Sequence, residues 1–315
     1  MVRDRLIAVT STAFSKDPYL RERLLERFSR SVFNPTGQRL TRQQLKDFLA
    51  DAEGAIVGLD IVDEDLLSSC RNLRIVSKYG VGLDNVDRHA CEQHGVAIGW
   101  TGGVNRLSVA EQTLCFMIAL CRNLYQTSCL MKSGQWFVDG GWQLTGKTIG
   151  IIGMGHIGKE MVRLLAPFAC TILANDILNQ SEYYRTNGLV ESSKEKIFTE
   201  SDVVTIHTPL TAETRHLVNR KTLSLMRKTA FLINTSRGGV VNQADLKEAL
   251  ISKMIAGAAA DVFEEEPPQD RELIELPNFF CTPHVGGNAI EAIRAMGLSA
   301  IDHIENFYKD DRQPR

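Results

Sequence analysis

No C-x-x-C spacing occurs anywhere in this 315-residue chain, and its seven cysteines (70, 91, 115, 121, 129, 170 and 281) form no zinc-like cluster with histidine. Such scatter excludes a disulfide framework and reads as buried, reduced thiols in a cytoplasmic protein. No metal site is expected. An excess of one charge sign is missing as well. At a net charge of −2, nothing electrostatic favours nucleic acid or an anionic membrane as partner. Long apolar runs are absent. The stretch from Leu6 to Val9, behind Arg3-Asp4-Arg5, reads as a strand and is too short for a signal-peptide core. The most apolar helical stretch, Val109 to Cys121, is interrupted by Glu111 and Gln112 and ended by Arg122, short of a membrane span. Ser108 with Glu111 fits a capping box, so a buried helix is expected to open there. Neither low-complexity tracts nor short-period repeats occur.

What is present is alternation. Strand-like runs near Ile7–Thr10, Ala55–Val57, Leu73–Ser77 and Val96–Ile98 alternate with helical stretches, and Asp17-Pro18 supplies an N-cap with proline behind it. Runs near Ile149–Ile152, Thr171–Ala174, Val203–Ile206, Ala230–Asn234 and Ile255–Ala260 do the same. This pattern predicts an α/β fold with parallel sheets and right-handed crossovers. The length points to two domains, and 43% hydrophobic residues give material for two cores. The glycine-rich stretch after Trp100 and the Gly286-Gly287 pair are expected hinge crossings. Beyond the second, Asn288 and Glu291 form a capping pattern for a last helix running to about Tyr308. Two crossings make one domain discontinuous, taking residues 1–101 and 288–315, with residues 102–287 between them.

The middle segment carries a dinucleotide-binding pattern. Lys147-Thr-Ile-Gly-Ile-Ile152 is a short apolar strand, followed at once by Gly153-Met-Gly155-His-Ile-Gly158 and a helical pattern with Ile157, Met161, Leu164 and Leu165 on one face. Gly153 permits the tight turn, Gly155 lets a pyrophosphate approach the backbone, and Gly158 allows close helix–strand packing. The phosphate then rests on free N–H groups at the helix start, His156 and Ile157 among them. A second strand, Thr171-Ile-Leu-Ala-Asn-Asp176, ends in an acid about twenty residues past the glycines, as a ribose contact requires. A carboxylate there repels a 2′-phosphate, and Ile177, Leu178 and Asn179 offer no arginine to hold one. NAD is favoured over NADP.

Three further stretches each follow an apolar, strand-like run. They are Asn234-Thr235-Ser236-Arg237-Gly238-Gly239, Asp261-Val262-Phe263-Glu264-Glu265-Glu266-Pro267 and Thr282-Pro283-His284-Val285-Gly286-Gly287. Open parallel sheets bind ligands at the carboxyl ends of their strands. A cation, a carboxylate and an imidazole gathered there suit the interconversion of a 2-keto acid and a 2-hydroxy acid. The planar fork of Arg237 matches a carboxylate, and the imidazole of His284 gives or takes a proton near neutral pH.

Together with Lys78-Tyr-Gly-Val-Gly-Leu-Asp-Asn-Val-Asp87, Gly103-Val-Asn-Arg-Leu-Ser-Val-Ala-Glu111 and Ile206-His-Thr-Pro-Leu210, these stretches resemble the D-isomer-specific 2-hydroxyacid dehydrogenases over nearly the whole chain. The resemblance implies two doubly wound parallel-sheet domains, a Rossmann NAD-binding domain inserted into a flavodoxin-like substrate domain, with the substrate in the cleft between them. It selects Glu266, directly before the proline, as the acid that orients His284 and stabilises its imidazolium. Glu264 and Glu265 are then solvated loop charges. It further implies that His207, Pro209, Thr235 and Asp261 contribute to the cofactor site, Asp261 at the nicotinamide carboxamide. The loop Tyr79-Gly80-Val81-Gly82 and Asn105 belong to the substrate, whose carboxylate meets the Val81 and Gly82 amides. The helix near Val109–Cys121 is implied to pack across a homodimer interface.

The chain departs from the phosphoglycerate subfamily after Ala55–Val57, where Gly58-Leu59-Asp60 stands in place of that subfamily's arginine. Lys78 is a partial substitute, but Asp60 suits a phosphate poorly. No appended regulatory domain is expected past the closing helix, and Glu266 argues against the family's formate dehydrogenases, which carry glutamine there. Three readings follow: a dehydrogenase of a small D-2-hydroxy acid, a D-3-phosphoglycerate dehydrogenase proper, or a cofactor-sensing, corepressor-like binding protein on the same fold. Intact Arg237, Glu266 and His284 favour chemistry.

Overall fold

Each short β-branched run of the sequence forms a parallel strand, and the strands collect into two sheets. The first comprises β1 (Leu6–Val9), β2 (Arg30–Phe33), β3 (Gly54–Val57), β4 (Ile75–Lys78) and β5 (Ala97–Gly99), in the order β2-β1-β3-β4-β5. The second comprises β6 (Thr148–Ile152), β7 (Thr171–Asn175), β8 (Val190–Glu191), β9 (Val203–Ile206), β10 (Phe231–Asn234), β11 (Gly257–Ala260) and β12 (Phe279–Cys281). Its order is β12-β11-β10-β9-β6-β7-β8. Every pairing between these strands is parallel. The computed structural model describes residues 2–310, so residues 311–315 of the expected closing segment lie outside the described residues. The chain divides into two units, Met1–Asn105 with Asn288–Arg315, and Arg106–Gly287.

The first order is flavodoxin-like and the second is the Rossmann order extended by one strand. Strand order reverses between β1 and β3 and between β6 and β9, the places where open sheets take ligands. Strands β3, β4, β9, β10 and β11 are buried at every residue, as strands covered on both faces must be. Two strands escape the sequence reading, β2 and β8. Both are sheet edges: β2 alternates exposed with half-buried residues and β8 is two exposed residues, so neither needs an apolar run.

Asp17 caps the helix Pro18–Arg27, its carboxylate accepting from the Leu20 N–H at 3.1 Å. The two expected capping boxes are corrected. The apolar helix spans Arg106–Cys121, so Ser108 is already its third residue and its hydroxyl donates instead to the Gly286 carbonyl, 2.5 Å away. The closing helix spans Ile290–Asp310, and it is the Ala289 carbonyl that accepts its first turn's N–H from Ile293, one residue past Asn288. Phe116 and Met117 of Arg106–Cys121 pack with Ile149, Ile151 and Ile233 of the sheet and with Met161 and Leu165 of the helix His156–Leu165. Each such side chain contributes about 1.5–3 kcal/mol on burial, which makes this helix a fixed frame. No helix among the described residues is long and apolar enough to cross a membrane.

Candidate active site

Three loops at the carboxyl ends of β10, β11 and β12 carry the expected reactive groups. At the end of β10, Asn234 folds the chain over: its Oδ1 accepts from the Ser236 N–H (3.1 Å) and hydroxyl (2.8 Å), and its amide donates to the Arg237 carbonyl (3.0 Å). This side-chain turn sets the Arg237 backbone. Arg237 is half-buried, and its Nη1 donates to the Ser236 carbonyl at 2.8 Å. A Cβ on Gly238 would lie 1.9 Å from the Phe263 carbonyl. Only glycine lets the Arg237 loop lie against the segment that leads to Glu266.

Glu266 faces two ways. Its Oε1 accepts from the Phe263 N–H at 3.1 Å, and its Oε2 meets His284 Nδ1 at 2.8 Å. His284 sits in the left-handed region at φ +53°, its own N–H turned back to the Thr282 carbonyl at 3.0 Å. A carboxylate on Nδ1 makes that nitrogen the donor and leaves Nε2 for a reacting atom. Half of the His284 side chain is exposed, so Nε2 is reachable. Of the three adjacent glutamates, Glu266 alone pairs with His284. Glu264 is not simply solvated, since its Oε1 meets His216 Nε2 at 2.7 Å, a pair that ties the loop after β11 to the segment after β9.

Asp261, expected at the nicotinamide, is 2% exposed and is taken up by its own domain. Its Oδ1 accepts from Gln112 Nε2 (3.1 Å), the Thr282 hydroxyl (2.5 Å) and the Val285 N–H (2.9 Å), and its Oδ2 from the Gly286 N–H (2.7 Å). Thr235 is likewise buried, its hydroxyl 2.9 Å from that of Thr113.

At the β6/β9 reversal each glycine of the first βα turn has a separate reason. Gly153 has φ +97°, and a Cβ there would lie 2.5 Å from the His207 carbonyl oxygen. A Cβ on Gly158 would lie 2.2 Å from the Gly153 carbonyl, so helix and turn pack backbone to backbone. Gly155 faces open space and precedes the ten-residue helix His156–Leu165, which no side chain caps. His156 is exposed on its first turn, whereas Ile157 is half-buried against the core. Asp176 accepts from the Met154 N–H (2.6 Å) and the Leu178 N–H (2.8 Å), tying the end of β7 to the glycine turn. Burial pushes the His207 imidazole down to about 3, so it is neutral, with Nε2 3.0 Å from the Thr205 hydroxyl. His207 Nδ1 and the Thr208 hydroxyl are buried without a partner among the described residues. Pro209 is exposed beside them.

The family described as D-isomer specific 2-hydroxyacid dehydrogenase, NAD binding domain, matches residues 114–286. The chain belongs to the D-isomer specific 2-hydroxyacid dehydrogenases. It is similar to the D-3-phosphoglycerate dehydrogenase of Methanocaldococcus jannaschii, with 35% identity over 277 residues, 86% of this chain and 53% of that protein. The chain therefore spans about half the length of such relatives. It is also similar to the hydroxypyruvate reductase of Thermotoga maritima, with 32% identity over 295 residues, 91% of this chain and 95% of that one. Among solved structures, D-lactate dehydrogenase from Aquifex aeolicus, complexed with NAD and lactic acid, superposes with a TM-score of 0.84. It has 25% identity and covers 98% of this chain and 96% of that one.

NAD is the cofactor of the second unit of this family member. The residues present fit it. An uncapped helix start with open space at Gly155 suits a pyrophosphate, and the orphaned His207 Nδ1 and Thr208 hydroxyl lie beside the same turn.

The substrate-side residues expected from sequence lie in the first unit. Tyr79 is buried, its ring edge-on against Phe14 at 5.6 Å, and its hydroxyl, raised to about 12 by burial, has no partner among the described residues. The glycine loop follows directly. There Gly80 has φ +140°, and the Val81 carbonyl accepts from Trp100 Nε1 at 2.9 Å, leaving the Val81 and Gly82 amides on a held turn. Asn105 is 8% exposed, and its Oδ1 has no partner among the described residues. Lys78 is buried too, donating to the Gly58 carbonyl (2.5 Å) and Asn85 Oδ1 (2.6 Å), while Asp60 is buried and accepts from the Thr10 hydroxyl. Beside them Leu59 is 76% exposed. Sequence reasoning missed Ser108, Gln112 and the His216–Glu264 pair. Only the i, i+4 spacing of Ser108 and Gln112 on one helix face hinted at a shared partner.

Proposed function

We propose that this chain interconverts a small D-2-hydroxy acid and its 2-keto acid. The observation that carries this reading is the 2.8 Å pairing of His284 Nδ1 with Glu266, one loop away from Arg237. Bound NAD(H) supplies or accepts the hydride at C2. Arg237 holds the substrate carboxylate and carbonyl oxygen through its fork. During reduction His284 Nε2 donates its proton to that oxygen, and during oxidation it takes the proton back. Glu266 keeps Nδ1 protonated and stabilises the imidazolium that oxidation creates. The Val81 and Gly82 amides, Asn105, and Thr235, Asp261, His207 and Pro209 on the cofactor side, complete the set that the family suggests.

An unphosphorylated substrate is favoured. Lys78 and Asp60 are both committed inside the first unit, and the residue offered after β3 is the apolar Leu59. The phosphoglycerate reading remains the second one, because relatives of that name share 35% identity. A panel of glyoxylate, pyruvate, hydroxypyruvate and 3-phosphohydroxypyruvate with NADH tests both. Turnover of none of them would favour the sensing alternative. NADH is expected to outperform NADPH strongly, since Asp176 opposes a 2′-phosphate. Asp176→Ala should narrow that preference, and equal efficiency with both cofactors in the unsubstituted enzyme would contradict it.

A homodimer is proposed, with the helix Arg106–Cys121 at its interface as the family resemblance implies, and we extend that interface to the helix Leu124–Lys132 and the segment behind it. That helix buries none of its residues, and Leu124, Met131, Trp136, Phe137 and Val138 are each more than half exposed. Only Lys132 and Asp139 carry charge between residues 124 and 142, which suits an apolar, self-complementary patch. Sedimentation should give twice the chain mass. Trp136→Glu with Val138→Glu should give monomers, and an unaltered mass would place the interface elsewhere. A cytoplasmic location is proposed on the seven free thiols.

A further inference from the structure

His284 holds a left-handed conformation that a residue bearing a Cβ adopts at a cost. Such strain persists where the surroundings over-determine it, and here they do. The Val285 and Gly286 N–H groups, immediately after His284, both point at the Asp261 carboxylate. Consecutive amides converging on one anion form a nest, and the anion fixes their orientation. Before His284, the Thr282 hydroxyl donates to Asp261 and accepts from Gln112 at 2.6 Å. Beyond it, Ser108 holds the Gly286 carbonyl. Packing is close enough that a Cβ on Gly286 would lie 2.9 Å from Asp261 Oδ2 and 3.0 Å from Gln112 Oε1. The turn that carries the imidazole is thus pinned by one buried carboxylate and by one face of the helix Arg106–Cys121.

Taking His284 as the proton-transfer group, we propose that Asp261 is a positioning residue for it, with Gln112 and Ser108 as its supports. The carboxylate acts as a four-donor acceptor that sets where Nε2 sits. Asparagine cannot replace it, because one carboxylate position becomes an NH2 and opposes an N–H of the turn. Asp261→Asn should lower kcat for keto-acid reduction about 100-fold, the effect of a misplacement of about 1 Å. KM for the keto acid should stay within about twofold, and the loss of kcat should persist at saturating NADH, whatever Asp261→Asn does to the dissociation constant for NADH read by fluorescence. Ser108→Ala and Gln112→Ala, which leave Asp261 in place, should each lower kcat about three- to tenfold, the worth of one hydrogen bond.

The decisive measurement places Asp261→Asn in a His284→Ala background. A residue that acts through His284 has nothing left to position there, so no further loss is expected. Loss of the same factor in both backgrounds would overturn the proposal. So would weaker NADH binding with kcat unchanged at saturating NADH, which is the mark of a cofactor contact alone. Should Asp261→Asn fail to fold, normal kcat in both Ser108→Ala and Gln112→Ala would overturn it equally. His284→Ala at full activity would instead refute the proton-transfer role of His284, and the positioning role with it.

Discussion

Replacing Arg237 by lysine is expected to leave the fold and NADH binding intact and to remove most of the activity. The Arg237 backbone is set by Asn234 and by the contact of Gly238 with Phe263, neither of which involves the guanidinium. The substitution therefore leaves the turn in place while it removes the fork that the loop presents and the Nη1 bond to the Ser236 carbonyl. Lysine keeps the charge and loses the planar fork that matches a carboxylate at two points. Losing one charged hydrogen bond to the transition state should cost about 2–4 kcal/mol in kcat/KM. The loss should appear with every keto acid that the unsubstituted enzyme accepts, because the carboxylate is common to all of them. Catalytic efficiency within threefold of the unsubstituted enzyme would remove Arg237 from the site.

What could be read in the sequence is what depends on local chemistry. The glycine turn is legible because strand, glycines, helix and closing acid must follow one another in order, and each glycine meets a neighbour that excludes a Cβ or faces the space a phosphate needs. The choice of Glu266 among three glutamates is legible only through the family's proline, and the geometry pairs that residue with His284. Partners across the fold are not legible. Ser108 has the spacing of a cap, yet its hydroxyl finds a carbonyl 178 residues away. Tyr79 adjoins a glycine loop, yet its ring turns inward because Phe14 and the closing helix leave an apolar space there. Glu264 looks like a solvated charge until the segment after β9 brings His216 beside it. Edge strands β2 and β8 need no apolar run, so periodicity passes over them. In each case a tertiary contact decides what local pattern leaves open.

His284→Ala is expected to lower keto-acid reduction by about 100- to 10,000-fold, the usual worth of a general acid–base group. The companion substitution Glu266→Gln tests how the pair works. Glutamine keeps an acceptor for Nδ1–H and so keeps the ring's direction, but it removes the negative charge that stands against the imidazolium. Reduction and oxidation pass through the same transition state, so losing that charge should lower kcat/KM by the same factor in both directions, about 10- to 100-fold. The check is kcat/KM in both directions at one pH, for the unsubstituted enzyme and for Glu266→Gln. Unchanged efficiency in Glu266→Gln, with His284→Ala still active, would assign the proton transfer to another group.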